Sequence, residues 1–329
     1  MRTTPSLSSA ARALVLGLAL AGTGVAAPAA APAPGPYPPS PAARVPRVDP
    51  ARFDLDLQAR ALAPGVWVVE GANDDFSPAN GCNIINTGFI ATGDGVLVIN
   101  TGPSRRYGEQ LRALIARTTP EPVRQVLHLN LHPDYFLGNQ AFADVPRLAT
   151  PATRAGIARE AAAYETNLYR LCGDWMKGTE TLAPSATIDP AADGGRWRLG
   201  SREFEWREWK GHTASDLVLV DRTSGVVFAG GLVFADRVPT TPHAQVADWL
   251  ASLDRLAALP AGTVVPSHGP VHADGKGLLQ TREYLRWIDR QFGDWAAQGL
   301  EMNEVLRGAV PETFRRWAAF DTEYLRNVA

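Results

Sequence analysis

Three segments of this chain put an imidazole where an apolar run gives way to turn residues. They are Leu127-His128-Leu129-Asn130-Leu131-His132-Pro133-Asp134-Tyr135, Gly211-His212-Thr213 and Ser267-His268-Gly269. Val123 to Leu131 reads as a buried strand, so His132 and Asp134 fall just past its end, ahead of the turn signal Gly138-Asn139. Isolated histidines at three strand ends are how a metal site is assembled from residues far apart in a chain. Zinc takes neutral imidazole and carboxylate, and a catalytic zinc needs about three protein ligands with one position left for water. His132, His212, His268 and Asp134 are strong donors of that kind, and Asn130 offers a weak amide oxygen. A single zinc on such a set would lower the pKa of a bound water. Asp134, where it is not a ligand, is placed to act as the general base.

The elements that must position these groups are short strands with helices between them. Val66 to Glu70, Ile84 to Ile90 and Gly95 to Ile99 read as strands, as do Arg196 to Leu199, Phe204 to Trp209, Leu217 to Val220, Val226 to Phe228 and Thr263 to Val265. Tyr107 to Thr118 has helical periodicity. Thr150-Pro151 opens another helix, with Thr150 as cap and Pro151 at its first position. His243 to Ala258 and Gly277 to Gln298 are also helical, with shorter helices over Glu301 to Arg307 and Glu312 to Phe320. Strands in two groups with helices outside suggest an α/β fold of two packed sheets.

These motifs, in this order, resemble the metallo-β-lactamase superfamily, whose metal loop reads His-x-His-x-Asp-His. The resemblance covers about residues 60 to 275. It implies a four-layer αβ/βα sandwich with the site along one edge, followed here by a C-terminal helical appendage. It also places a first zinc among Asn130, His132 and His212, and a second among Asp134, Tyr135, Gly231 and His268. Asn130, Tyr135 and Gly231 stand where the family has a His, a His and the bridging Asp. Asn100, in Val98-Ile99-Asn100-Thr101-Gly102, stands where the family has an Asp supporting the metal loop from behind. Glycine offers no side chain, and tyrosine coordinates only as a phenolate, against a reference pKa of about 10. A subclass of true lactamases also opens its loop Asn-x-His-x-Asp and works with one zinc in the second site. It completes that site with a Cys and a His, and the Cys position is Gly231 here. His128, two residues before Asn130, is a substitute ligand only if it reaches forward from deeper in its strand.

Three stretches narrow the resemblance: Asn100 to Ser104, His132-Pro133-Asp134 with Gly138 to Phe142, and Gly230 to Pro239. They are similar to the quinoprotein relay system zinc metallohydrolase branch, which implies a neighbourhood of periplasmic quinoprotein dehydrogenases and no particular substrate. Asp216 is set to orient the His212 loop. Asp236 and Arg237 read as a structural ion pair or turn in preference to a contact with substrate. His243 and His272 match no ligand position and read as loop histidines, and Trp206 and Trp209 read as packing near His212.

The N-terminus, residues 1–29, reads as a signal peptide: Arg2 and Arg12, an apolar run from Ala13 to Val25, then small residues. Residues 30–55 read as an Ala- and Pro-rich linker, 56–275 as the sandwich domain and 276–329 as the C-terminal helices. A periplasmic or secreted protein follows, with no membrane span after cleavage. In that compartment Cys82 and Cys172 stand open as one disulfide or two thiols. With 45% apolar and 20% charged residues among 329 and a net charge of −2, the chain is an ordinary globular protein with no call for nucleic acid. Two functions stay open. One is a non-catalytic or weakly active descendant whose dinuclear site is lost and whose pocket binds a small molecule. The other is a mononuclear zinc hydrolase acting on an ester, thioester or lactam. Zinc is expected at one ion at most, and none on the first reading.

Overall fold

The computed structural model describes residues 47–188, 194–260 and 262–329. The segment read as a signal peptide, and the part of the expected linker up to residue 46, lie outside the described residues. One sheet is β1 (Arg60–Ala63), β2 (Val66–Val69), β3 (Thr87–Ala91), β4 (Val96–Ile99), β5 (Val123–Leu127), β6 (Arg147–Ala149) and β7 (Ala186–Thr187), adjacent in that order. It is antiparallel as far as β4 and parallel from β4 to β7. The second sheet comprises β8 (Gly195–Leu199), β9 (Arg202–Trp209), β10 (Asp216–Asp221), β11 (Val226–Phe228) and β12 (Thr263–Val265). Its spatial order is β12-β11-β10-β9-β8, with only the β11–β12 pair parallel.

Side-chain alternation in the central strands builds the layers. In β4, Leu97 and Ile99 meet Leu217, Leu219 and Phe228 between the sheets, while Val96 and Val98 face the opposite way. Those two pack with Leu111 and Ile115 of α1 (Arg105–Thr118) and Ile157 and Leu168 of α3 (Pro151–Cys172); the short α2 is Pro133–Phe136. In β10, Leu217 and Leu219 point inward. Val218 and Val220 point out onto Trp249 and Leu253 of α4 (Val246–Ala257) and Leu285 and Ile288 of α5 (Lys276–Ala297). Strands buried on both faces read as unbroken apolar runs. The result is helix, sheet, sheet, helix, the fold class expected from the resemblance. After α5 come α6 (Met302–Val305), α7 (Glu312–Arg315) and α8 (Phe320–Val328), whose Phe314, Phe320 and Tyr324 join the same outer cluster.

Some details differ from expectation. Ile84-Ile85-Asn86 precedes β3 as irregular chain, because Asn86 is bonded to the turn that holds His268 and not to a ladder. α4 starts at Val246, which leaves His243 in a turn. Residues 47–55, expected as linker, pack on the domain: Leu55 is fully buried and Phe53 lies edge-on to Trp175 at 5.2 Å. Among the described residues no helix is long and apolar enough to cross a membrane.

Cys82 and Cys172 are disulfide-bonded, with Cα atoms 5.9 Å apart and both residues buried. The bond ties the turn after Pro78–Asn80 to the end of α3 and closes a separation of 90 residues. Closing so long a loop restricts the unfolded chain. Cys172→Ala is therefore expected to lower unfolding free energy by about 2–5 kcal/mol, read as a shift in urea midpoint against the oxidised parent. An unchanged midpoint would show that the bridge carries no stability.

Candidate functional site

The two sheets are laced together at one edge. Leu217 N–H donates to Leu129 O (2.9 Å) and Asn86 N–H to Ser267 O (2.7 Å). Asn86 also donates its amide to Pro266 O and Gly269 O at 3.0 and 2.7 Å, clamping the turn that presents His268. Asn100 performs the supporting task expected of its position. Its φ of 58° lies in the left-handed region that Asn tolerates, and its Oδ1 accepts from Leu129 N–H at 3.0 Å.

His132, Asp134, His212 and His268 all line one cavity of about 180 Å³ at this edge, so the structure brings the four strong donors together. They arrive as two pairs. The rings of His132 and His212 are 4.6 Å apart, and His268 Nε2 lies 3.5 Å from Asp134 Oδ2. His268 Nδ1 is 2.8 Å from Ile84 O, which can only accept, so Nδ1 carries the proton and Nε2 presents a lone pair to Asp134. His212 sits against Phe234 and Trp249, with ring centroids 5.4 and 5.3 Å away, and neither of its nitrogens has a partner. Trp249 packs on its ring, and Trp206 and Trp209, read as packing residues, are both buried in the core.

The positions that depart from the family pattern are each engaged elsewhere. Asn130 donates to Asp216 Oδ1 (2.6 Å) and Thr213 Oγ1 (3.0 Å), while its own Oδ1 accepts from His132 N–H (3.0 Å). The weak ligand expected at Asn130 is therefore committed to the protein. Tyr135 is buried between the sheets and does not line the cavity, and burial pushes its pKa well above 10. A Cβ added at Gly231 would stand 2.3 Å from His212 Nδ1 and 2.6 Å from Asp216 Oδ1, so the bridging side chain's place is taken. His128 donates Nδ1–H to Tyr135 O (3.1 Å) and does not line the cavity, so it supplies no substitute ligand. Among the described residues no three His, Cys, Asp or Glu side chains form a group that could hold a metal ion.

Some wall residues lie outside the ligand positions read from the sequence. His243, in a turn as its loop reading implies, also lines the cavity, with its Nδ1 2.9 Å from His132 Nε2. Arg237 and Glu323 form a buried ion pair at 3.0 Å, and Arg326 bridges Glu323 to Asp75 at 3.0 Å each. Glu323 and Arg326 come from α8, beyond the part of the chain with recognisable motifs. Asp236, by contrast, bonds His272, Lys276 and Gln280.

Burial sets the charges. It holds the imidazoles of His212 and His268 well below 6.5, and burial with the neighbouring His243 takes His132 down to about 3. Burial raises Asp134 and Asp216 to about 7. Near neutral pH the imidazoles of His132, His212 and His268 are thus uncharged, and burial favours the protonated form of Asp134.

Comparison with known proteins bears on this geometry. Residues 80–268 match the model of the metallo-beta-lactamase superfamily. A metallo-beta-lactamase from Pontibacter korlensis superposes with a TM-score of 0.56 at 24% identity, over 70% of this chain and 99% of its own. One from Hirschia baltica gives 0.55 at 19%, over 70% and 97%. At these identities the likeness is one of fold. A linear primary-alkylsulfatase from Pseudomonas sp. (strain ATCC 19151) is 20% identical over 258 residues, 66% of this chain. The chain spans about half the length of that relative, 48%.

Two outcomes follow. Gly231→Ala is expected to push His212 and Asp216 aside and cost about 1–3 kcal/mol in chemical denaturation; a neutral substitution would mean the space beside Gly231 is open. Asp134, raised from 3.8 to about 7, contributes stability that is full below about pH 4 and lost as pH rises through 7. Asp134→Asn should therefore gain stability on the parent at pH 8 and lose that advantage by pH 4. A difference that does not vary with pH would contradict the burial of a titrating carboxyl.

Proposed function

The chain belongs to the metallo-beta-lactamase superfamily, and from that premise we propose that its edge pocket binds a small organic molecule and has given up dinuclear zinc hydrolysis. The observation that carries this reading is Gly231, whose missing side chain leaves a space filled by His212 and Asp216. The bridging carboxylate cannot be accommodated there without moving both. Zinc in this family would need about three protein donors per catalytic ion, and each half of this site holds two. The residues present therefore do not fit a dinuclear centre.

A polar task for the pocket is supported by its buried, unpaired atoms. Leaving a buried polar atom unsatisfied costs about 1–3 kcal/mol, and His212 leaves both ring nitrogens so. The same observation favours a second reading, a mononuclear zinc hydrolase in which His132 and His212 hold the ion and Asp134 is the general base. On that reading lactams, thioesters and, by analogy with the alkylsulfatase relative, primary alkyl sulfates are the substrates to assay.

We place the mature chain in the periplasm or outside the cell. The signal-like N-terminus supports this, as does the Cys82–Cys172 disulfide, a bond that persists in oxidising compartments. A quinoprotein dehydrogenase system is the proposed neighbourhood, on the branch resemblance.

Elemental analysis of the dialysed, disulfide-intact chain tests the choice. The expected result is zinc far below one per chain and no hydrolysis of a lactam, thioester or primary alkyl sulfate above background. One retained zinc per chain, with hydrolysis abolished by His212→Ala, would replace the first reading by the second.

A further inference from the structure

We infer that the exposed face of α5 is a docking surface for an acidic, extended segment of a partner protein. The inference is independent of the edge pocket, with which this surface shares no lining residue. A second cavity, of about 480 Å³, opens between α5 and the start of α7. Arg282, Arg286 and Arg290 line it from α5, and Pro311 and Thr313 from the segment around α7. Trp287 and Phe314, both buried and with ring centroids 5.3 Å apart, form its floor.

Helical spacing produces the stripe. Residues four apart lie on one face, about 6 Å further along the axis, so the three guanidiniums follow one another along the groove. Arg282 is committed to the protein: it donates to Leu253 O (3.2 Å) and pairs with Asp254 at 3.0 Å. Arg286 and Arg290 are exposed, and among the described residues neither has a hydrogen bond or an ion pair. Glu283 is the one carboxylate among the lining residues. The groove therefore carries an excess of positive charge, although the whole sequence has a formal net charge of −2. Attraction for an anion is thus a property of this face and not of the molecule at large.

The occupant follows from charge and spacing. Side chains on one face of an extended segment recur about every 6.8 Å, close to the rise between Arg286 and Arg290. Carboxylates two residues apart can therefore meet both guanidiniums, in the charge-assisted pairs that arginine favours. Leu279, 59% exposed and two turns before Arg286 on the same face, gives the partner an apolar contact beside those charges. The Ala- and Pro-rich stretch 30–46 of this chain does not suit the groove, because it has no acidic residue and carries Arg44.

Fluorescence anisotropy with the disulfide-intact mature chain tests this. The probes are a short labelled peptide that alternates glutamate with threonine and ends in leucine, and its glutamine counterpart. The acidic peptide is expected to bind, more weakly as salt rises, and the glutamine peptide about tenfold or more below it. R286E/R290E should lower affinity for the acidic peptide about tenfold or more, and R286Q/R290Q by a smaller factor. R154E/R159E, the same charge change on exposed arginines of α3, should leave that affinity unchanged. Equal losses in the two charge reversals would reduce the effect to net charge and overturn the docking surface. Absence of binding by the acidic peptide would also overturn it. Binding of phosphatidylglycerol vesicles in the peptide's stead, lost in R286E/R290E, would reassign the face to a lipid surface.

Discussion

The buried carboxylate of Asp216 is the constraint around which the site edge is arranged. One oxygen accepts from the Asn130 amide just past β5 of the first sheet, and the other from the backbone of Thr213 in the turn before β10 of the second. A single side chain thus joins the two halves of the sandwich where they must meet. Its cost is visible in its pKa, raised to about 7 by burial against the hydrogen bonds that lower it. Because Asn130 is drawn to Asp216, its amide oxygen turns to His132 N–H, and because Asp216 and His212 lie over Gly231, no side chain enters from that strand end. The departures from the family's ligand set are therefore coupled parts of one packing arrangement.

The other side of the pocket is held by charge. Loop residues Asp74 and Asp75 are fastened to Arg237 and to α8 through Arg326 and Glu323, and the Arg237–Glu323 pair is almost wholly buried. Removing one partner from such a pair is far more damaging than the pair is stabilising, because it strands a charge away from water. The C-terminal helix is accordingly a wall of the pocket as well as a cover for the second sheet.

Much of the framework was legible in the sequence because buried strands and amphipathic helices leave periodic apolar patterns. Val96 to Ile99 and Leu217 to Val220 are apolar on both faces, and Thr150-Pro151 marks a helix start whose cap bond to Thr153 N–H is present. The four strong donors were legible because they follow such strands. The rest was not, for physical reasons. β6 and β7 have three and two residues, too few for a period to show. His243, Glu323 and Arg326 reach the cavity through tertiary packing alone, and nothing local distinguishes them from surface residues. That Asn130 would turn away from the cavity depended on Asp216, a residue 86 positions distant.

The glycine beside His212 also limits how this edge can be altered. A larger residue introduced there alone meets a collision before it can offer a donor, because the ring of His212 and the carboxylate of Asp216 already fill the space. Admitting one would require the ring, the carboxylate and the Asn130 amide bonded to it to shift together. Single substitutions can therefore reshape the existing cavity more readily than they can add a donor from this strand end.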